Sequence, residues 1–289
     1  MYQRLSHLTI KFPLFVLAAL LSVIWGLVGY FNVALKNDLE QLLSAQQYSA
    51  ASVIAASIDQ QVRLRLRALE DLATLFGERG LIQDSRQADA LLHDNLTVGA
   101  LFNGGFFLLD AGGVCIVDAP RMTGRRGLNF AHYEEFSALL QQRKPAIGNP
   151  RSGKLTGRPL VAMSAPIIDA TDQIAGVLIG LTYLDSANYI SEVIATYKGG
   201  SSEVSIIDPS SAGFVAVTDA DRGGNPLFDR YREGHEGSGI ATNSRGIEEL
   251  VSGRRMASTG WIAAVALPVE AAFAPMIALR HTLLAAALV

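Results

Sequence analysis

The residues best suited to chemistry in this sequence are cations and hydrogen-bond donors that lie between positions 132 and 158. They are His132, Tyr133, Arg151, Lys154 and Arg158. Guanidinium and ammonium groups suit carboxylates and other small anions, because they combine positive charge with several N–H donors. The pattern therefore predicts a site for a small organic anion. The alternative is that these are solvated loop charges and that Tyr133 belongs to a helix core, and this alternative is favoured for Lys154 and Arg158.

The sequence carries no recognisable catalytic or metal-binding signature. His235-Glu236 lacks the second histidine of a zinc hydrolase helix, and segment 234–239 lacks the Lys-Ser/Thr of a phosphate-binding loop. No Gly-x-Ser-x-Gly elbow occurs. The single cysteine, Cys115, excludes an intramolecular disulfide and a cysteine-based metal site, and its apolar neighbours predict a buried thiol. We therefore expect no catalytic residue, metal or cofactor, with an exported hydrolase as the alternative from another class.

The composition places excess apolar sequence at the two ends of the chain. Of the 289 residues, 49% are hydrophobic and 18% are charged. Residues 12–35 are all uncharged and can cross a hydrocarbon core of roughly 30 Å as a helix. This run is too long for a cleaved signal peptide, so we predict a transmembrane helix. Positive charges before it and negative charges after it predict that residues 1–11 are cytoplasmic.

The last segment, residues 275–289, becomes wholly apolar from Leu283 onward. We expect it to be the start of a second transmembrane helix that is cut off. The alternative is a natural amphipathic tail, but an exposed apolar end of this kind would reduce solubility.

Residues 36–80 are predicted to form a long amphipathic stalk helix. Apolar residues recur there at helical spacing, and neither Pro nor Gly occurs between positions 36 and 76. The polar face of this helix is the expected surface of a homodimer. On that basis, replacing Ile54 or Ile58 by Glu is expected to break dimers.

The remaining chain is predicted to be α+β, with two tandem modules that each contain an antiparallel sheet. In the first, residues 81–185, we expect helices at 86–95 and 131–142 and hairpins at 104–117 and 158–184. In the second, residues 186–274, we expect a helix at 188–197 and hairpins at 203–218 and 254–267. Residues 219–243 are predicted to form a long functional or mobile loop.

This layout resembles the double Cache family of bacterial extracytoplasmic sensor domains, whose two modules are PAS-like. The similar segments of the first module are 144–161, 164–169 and 176–180. Those of the second are 259–261, 267–268 and 273–275. The resemblance covers residues 36–289, and it implies a membrane-distal ligand module at 81–185 and a membrane-proximal module at 186–274.

The resemblance also implies where a ligand binds. Amino-acid sensors of the family use an Arg, a Trp-Tyr pair, a further Tyr and an Asp that receives the ligand ammonium. The positions that correspond here are Phe130, His132, Tyr133, Arg151 and Leu181, and only Tyr133 matches. Because a buried ammonium needs a carboxylate partner, we expect an organic anion rather than an amino acid. The full candidate ligand site is Phe130, His132, Tyr133, Arg151, Met163, Leu181 and Tyr183.

Together these features predict the sensing region of a homodimeric receptor in the bacterial inner membrane, with residues 36–275 in the periplasm. Segments 223–229 and 244–250 are more similar to the branch linked to cyclic di-GMP, which favours a diguanylate cyclase or phosphodiesterase as output. A histidine kinase or chemoreceptor output, or a periplasmic protein that binds loop 219–243, are the alternatives. A net charge of −3 without a basic stripe predicts no nucleic-acid partner.

Overall fold

The computed structural model describes residues 3–197, 201–210, 214–217 and 225–274. The chain divides into two compact units, one of Gln47–Pro268 and one of Met1–Gln46 with Val269–Val289. Within the described part of the chain, no helix combines the length and apolarity needed to cross a membrane, so the structure gives the predicted span at 12–35 no support. The predicted second span at 275–289 lies outside the described residues.

Four of the helices lie where helices were predicted, whereas those at Leu96–Gly99 and Pro226–Arg232 were not predicted. The helices are α1 (Gln3–Glu78), α2 (Ser85–Asp94), α3 (Leu96–Gly99), α4 (Glu134–Gln142), α5 (Tyr189–Thr196) and α6 (Pro226–Arg232), with a 3₁₀ helix at Leu81–Gln83. From residue 47 onward, α1 has one fully buried stripe, formed by Ile54, Ile58, Val62, Leu69 and Phe76. Ile54 and Ile58 therefore do not lie on an exposed dimer surface. Replacing either residue by Glu would disrupt the core of the chain and would not test the predicted dimer.

The first sheet is antiparallel and has the strand order β2-β1-β6-β5-β3, with β4 also paired to β5. Its strands are β1 (Phe106–Asp110), β2 (Cys115–Ala119), β3 (Ala146–Ile147), β4 (Arg151–Ser152), β5 (Pro159–Ile168) and β6 (Ile174–Tyr183). Alternate residues of a strand face opposite sides of a sheet. Val161 and Met163 accordingly belong to the core shared with α1, whereas Leu160 and Ala162 belong to the core on the other face.

The second sheet is also antiparallel, with the order β8-β7-β11-β10-β9. Its strands are β7 (Glu203–Ile207), β8 (Phe214–Val217), β9 (Gly237–Thr242), β10 (Glu248–Arg255) and β11 (Ile262–Pro268). Val204 and Val265 face the core shared with α1, and Val251 faces a separate core that also contains Phe228 and Tyr231 of α6. The two sheets confirm the predicted α+β class.

The predicted loop at 219–243 is wrong over most of its described length, because it contains α6 and β9. Asn225 caps α6 by accepting a hydrogen bond from the backbone N–H of Leu227 at 3.0 Å, and Pro226 occupies the first helical position. Strand β9, Gly-Ser-Gly-Ile-Ala-Thr, has few residues that favour strands and forms because it pairs with β10.

Polar and glycine contacts connect α1 to both sheets. The carboxylate of Asp59 accepts hydrogen bonds from the backbone N–H groups of Ala257 (2.8 Å) and Ser258 (3.0 Å) in the β10–β11 turn. The Nε of Arg65 donates to the carbonyl of Leu101 at 3.0 Å, before the first sheet. At Gly77, an added Cβ would lie 2.0 Å from the carbonyl oxygen of Ile168, so glycine allows the helix to approach β5 closely.

Candidate functional site

A cavity of about 70 Å³ lies on the face of the first sheet that is turned away from α1. A single water needs roughly 10–15 Å³, so the cavity has room for a ligand of a few heavy atoms. Its floor is formed by alternate residues of three neighbouring strands. They are Phe107 of β1, Leu160, Ala162 and Ser164 of β5, and Val177, Ile179, Leu181 and Tyr183 of β6.

Two loops and one helix cover this floor. The segment after β2 contributes Met122, Arg125, Phe130 and Tyr133, and α4 contributes Phe136. The turn between β4 and β5 contributes residues 153–156, and Arg151 lies on β4 itself. Tyr133 has an extended backbone (φ −80°, ψ 135°) and caps α4, so the helix begins three residues later than predicted from Ala131. This extended conformation places the phenol in the cavity wall.

Three aromatic rings form a row along the cavity, with a guanidinium group at each end. The ring centroids of Phe107 and Phe130 are 5.1 Å apart, and those of Phe130 and Tyr133 are 6.1 Å apart. The guanidinium carbon of Arg125 lies 5.1 Å from the centroid of Phe107, and that of Arg151 lies 4.2 Å from the centroid of Tyr133. Cations are stabilised over aromatic faces, which explains how both charges are held against an apolar wall.

Arg125 is the most deeply buried cation of the site, with only 3% of its surface exposed. Its Nη2 is 3.3 Å from the sulfur of Met122, which is a weak acceptor. Its Nη1 is buried and has no hydrogen-bond partner in the described part of the protein. The lining side chains include Arg125, Arg151 and Lys154 but no Asp or Glu among the residues described.

An ion-pair network fixes the loop that carries Arg125. The buried carboxylate of Asp118 accepts hydrogen bonds from the backbone N–H of Met122 (2.6 Å) and the Nε of Arg126 (2.8 Å). Asp89 of α2 accepts hydrogen bonds from Arg121 and Arg126. Burial opposes ionisation of Asp89, but the hydrogen bonds from Arg121 and Arg126 outweigh it and lower the pKa of this carboxyl. The network holds Arg126 on the outside of the loop.

Arg151 is half-buried beside the phenol of Tyr133. Burial lowers the pKa of Arg151, and the interaction with Tyr133 opposes that change. An arginine nevertheless stays protonated in proteins, so the site keeps this positive charge at neutral pH. Arg125 stays protonated for the same reason, so two guanidinium groups place positive charge at the cavity wall.

The structure brings five of the seven predicted site residues to one cavity: Phe130, Tyr133, Arg151, Leu181 and Tyr183. It does not place His132 or Met163 there. His132 is exposed and its ring lies 4.2 Å from that of Tyr133. Met163 is fully buried on the opposite face of the sheet, in the core shared with α1.

Strand register explains why Met163 does not line the cavity as predicted. Ala162 pairs with Leu181 across β5 and β6, and directly paired residues share a face of the sheet. The next residue, Met163, must then face the other side. The same alternation would have indicated Ala162 and Ser164 as cavity residues.

The sequence also singled out two further cations, Lys154 and Arg158. Lys154 lines the cavity and Arg158 does not. The guanidinium of Arg158 donates a hydrogen bond of 2.6 Å to Asp185 and lies 3.9 Å from the centroid of Tyr183. Arg125, Met122 and Phe136 were not predicted. The sequence offers no local signal for Arg125, since Arg126 beside it has the same chemistry.

The described residues hold no group of three or more His, Cys, Asp or Glu side chains that could bind a metal ion. Cys115 is 1% exposed, and its burial raises the pKa of the thiol to about 12. The thiolate is the nucleophilic form of cysteine, so Cys115 is inert at neutral pH. The arrangement of the cavity suits binding of a small molecule.

Three solved receptor structures are similar to this chain. An extracellular ligand binding receptor from Desulfohalobium retbaense is 17% identical, with a TM-score of 0.63, and the match covers 77% of this chain and 40% of that one. The ligand-binding domain of the Pseudomonas aeruginosa amino acid chemoreceptor PctC, in complex with GABA, is 18% identical, with a TM-score of 0.60. That match covers 79% of this chain and 99% of the domain. The ligand-binding domain of the Pseudomonas fluorescens chemoreceptor CtaA, in complex with L-alanine, is 15% identical, with a TM-score of 0.61. That match covers 80% of this chain and 99% of the domain.

These likenesses show that the chain has the fold of bacterial extracellular ligand-binding domains, as the double Cache resemblance predicted. The chain spans only 40% of the length of the Desulfohalobium receptor and nearly the whole of the two chemoreceptor domains. No family model matches the sequence, and no curated protein matches it.

Proposed function

We propose that this chain, which has the fold of extracellular sensor domains, binds a small organic anion in the cavity of its first sheet and acts as the sensing region of a bacterial receptor. The observation that supports this most directly is the lining of the cavity. Arg125, Arg151 and Lys154 contribute positive charge, and none of the described lining residues carries a carboxylate. A negatively charged ligand would supply a partner for Arg125, whose buried Nη1 has no hydrogen-bond partner among the described residues.

The same lining argues against an amine or an amino acid. The chemoreceptors PctC and CtaA were solved with GABA and with L-alanine, and both molecules carry an ammonium group. Burying an ammonium without a carboxylate partner is very costly. Leu181 lies in the cavity floor at the position where the resemblance implies an Asp in amino-acid sensors. The proposed ligand is therefore an anion without an ammonium or any other positively charged group.

The contacts of α1 support a signalling role for the binding event. Asp59 and Arg65 hydrogen-bond to turns associated with the two different sheets, and Gly77 contacts β5. A ligand that prefers one arrangement of the first sheet would shift the populations of arrangements in α1 as well. A diguanylate cyclase is the proposed output, and a histidine kinase or chemoreceptor is the alternative.

The proposed location is the bacterial inner membrane, with residues 36–275 outside the cytoplasm. The similar Desulfohalobium protein is an extracellular ligand binding receptor, which supports the placement of residues 36–275 outside the cytoplasm. The apolar sequence of residues 12–35 supports the attachment. The proposed homodimer and the proposed absence of enzymatic activity in this region rest on the family resemblance.

A thermal-shift screen of the purified full chain tests the ligand class, because a ligand that binds only the folded state raises the melting temperature. The screen compares short organic acids, amino acids and amines at equal concentration and ionic strength. We expect the acids to raise the melting temperature and the amines to leave it unchanged. Stabilisation by amines alone would refute the proposed anion site.

A further inference from the structure

Arg125 is a buried charged group that has no counter-charge among the residues that the structure describes. Its side chain lines the cavity, 97% of its surface is buried, and its Nη1 has no hydrogen-bond partner among the residues that the structure describes. Folded proteins rarely bury an arginine in this way, because an unpaired buried charge is strongly destabilising. Such a group indicates that something absent from the chain itself completes the site.

We infer that Arg125 is the specificity-determining residue of the cavity, and that its ligand is a short carboxylate without an ammonium group, held by the guanidinium of Arg125. This inference rests on the proposed function and makes it narrower. A carboxylate is the preferred partner of a guanidinium because two parallel N–H···O bonds can form between them. The weak contact of Nη2 with Met122 leaves this geometry open to a ligand.

The loop around Arg125 is held in place by other residues, so the burial of this arginine is not an accident of a loose segment. Asp118 accepts hydrogen bonds from Met122 and Arg126, which lie on either side of Arg125. Asp89 accepts a further hydrogen bond from Arg126. These bonds satisfy the outward-facing arginine and leave the inward-facing one with no carboxylate of its own. The fold therefore holds the charge of Arg125 inside the cavity, although burying this charge destabilises the folded protein.

The rest of the cavity fits a short apolar body. Side chains of Phe136, Leu160 and Ile179 surround the space, and its volume of about 70 Å³ has room for a ligand of a few heavy atoms. The hydroxyl groups available at the wall belong to Tyr133, Thr156, Ser164 and Tyr183. None of these groups is a carboxylate, so none can compensate an ammonium as a carboxylate would.

Isothermal titration calorimetry of the full chain with three probes of the same carbon number tests the inference. The probes are butanoate, 4-aminobutanoate and 1-butylamine. We expect butanoate to bind, 4-aminobutanoate to bind roughly tenfold to a hundredfold more weakly, and 1-butylamine not to bind, because the second and third probes bury an unpaired ammonium.

The variant Arg125→Met keeps an unbranched apolar stem and removes the guanidinium group with its charge. We expect it to lose butanoate binding and, unlike most core substitutions, to melt at the same or a higher temperature without ligand, because it removes an unpaired buried charge. Arg125→Lys keeps the charge but loses the planar fork, and should weaken butanoate binding by roughly tenfold. The control is Arg143→Met, which removes an arginine that is paired with Asp172 outside the cavity and should bind butanoate normally.

The outcomes separate this inference from the function on which it rests. Equal affinity for butanoate and 4-aminobutanoate would overturn the exclusion of ammonium but keep the anion site. Binding of 1-butylamine alone would overturn both. Failure of all three probes would overturn the short carboxylate, while the anion site would still be decided by the wider thermal-shift screen. If Arg125→Met binds butanoate normally, or loses much of its thermal stability without ligand, Arg125 is a structural residue.

Discussion

The Nε of Arg126 donates a hydrogen bond of 2.8 Å to Asp118, a carboxylate that is 1% exposed. This pairing decides which of two consecutive arginines faces solvent and which faces the cavity. Arg126 keeps 39% of its side chain exposed while it pairs with Asp118, whereas Arg125 is buried against Phe107. The position of the cavity charge therefore depends on an ion pair that does not touch the cavity.

The first prediction concerns this ion pair. Asp118→Asn should lower the free energy of unfolding by about 1–3 kcal/mol, because the amide cannot replace the charged acceptor of Arg126 in a buried position. It should also weaken butanoate binding, since the loop that carries Arg125 loses its anchor. Urea denaturation and calorimetry measure the two effects.

A suitable control for this substitution is Asp172→Asn. Asp172 also pairs with an arginine, at 2.7 Å, but 84% of its side chain is exposed. Exposed ion pairs contribute little, so this variant should change the unfolding free energy by less than about 1 kcal/mol. Similar losses in both variants would contradict the role assigned to Asp118.

The second prediction is a pH dependence that originates at Asp89. The pKa of this carboxyl is lowered from its ordinary value of 3.8 in the folded protein. Its contribution to stability is therefore complete above the unfolded value and is lost as the pH falls through the folded value. The difference in melting temperature between the wild type and Asp89→Asn should shrink from roughly pH 6 toward pH 2. A difference that does not change over this range would rule out Asp89 as a source of acid sensitivity.

The third prediction concerns the close approach of α1 to β5. In Gly77→Ala the new methyl group would lie 2.0 Å from the carbonyl oxygen of Ile168, so the helix or the strand must move. We expect a loss of about 1–3 kcal/mol in unfolding free energy, measured by urea denaturation. Gly29→Ala is the control, because its methyl group would meet nothing within 4 Å. An equal response of the two variants would show that the contact at Gly77 carries no strain.

The fourth prediction separates stability from ligand binding. Asp59→Ala leaves the backbone N–H groups of Ala257 and Ser258 without their acceptor, which should cost roughly 2 kcal/mol or more of unfolding free energy. Butanoate affinity should stay the same, because the cavity lies on the first sheet and Asp59 contacts the β10–β11 turn. Asp71→Ala, an exposed change on the same helix, is the control and should leave stability unchanged. A loss of butanoate affinity in Asp59→Ala would indicate that the two sheets are coupled through α1.

Most of the fold could be predicted because its burial pattern is local and periodic. The stripe of α1 has helical spacing, and β5 and β6 are apolar runs separated by an Asp-rich turn. Elements α6 and β9 were missed because their neighbouring glycines suggested a loop. The Asn225-Pro226 pair was nevertheless a usable signal for the start of a helix.

The candidate site was only partly predictable because its decisive contacts join residues far apart in sequence. Tyr133 and Arg151 could be found from their chemistry and the family resemblance, and they do lie together. Arg125 could not, because its burial depends on Asp89 and Asp118, which pair with its neighbour Arg126. Met163 was predicted on the wrong face of β5, because its chemistry alone does not show which of two alternating strand positions faces the cavity.

The two sheets also show how a redesign of this protein could begin. On the second sheet, the ring of Tyr231 occupies the space beside Gly253, and its single O–H proton lies within hydrogen-bond distance of two carbonyl oxygens, those of Gly237 (3.1 Å) and Val251 (3.0 Å). Shortening that side chain would leave an unfilled space over Gly253, on the face of the second sheet that carries Val251.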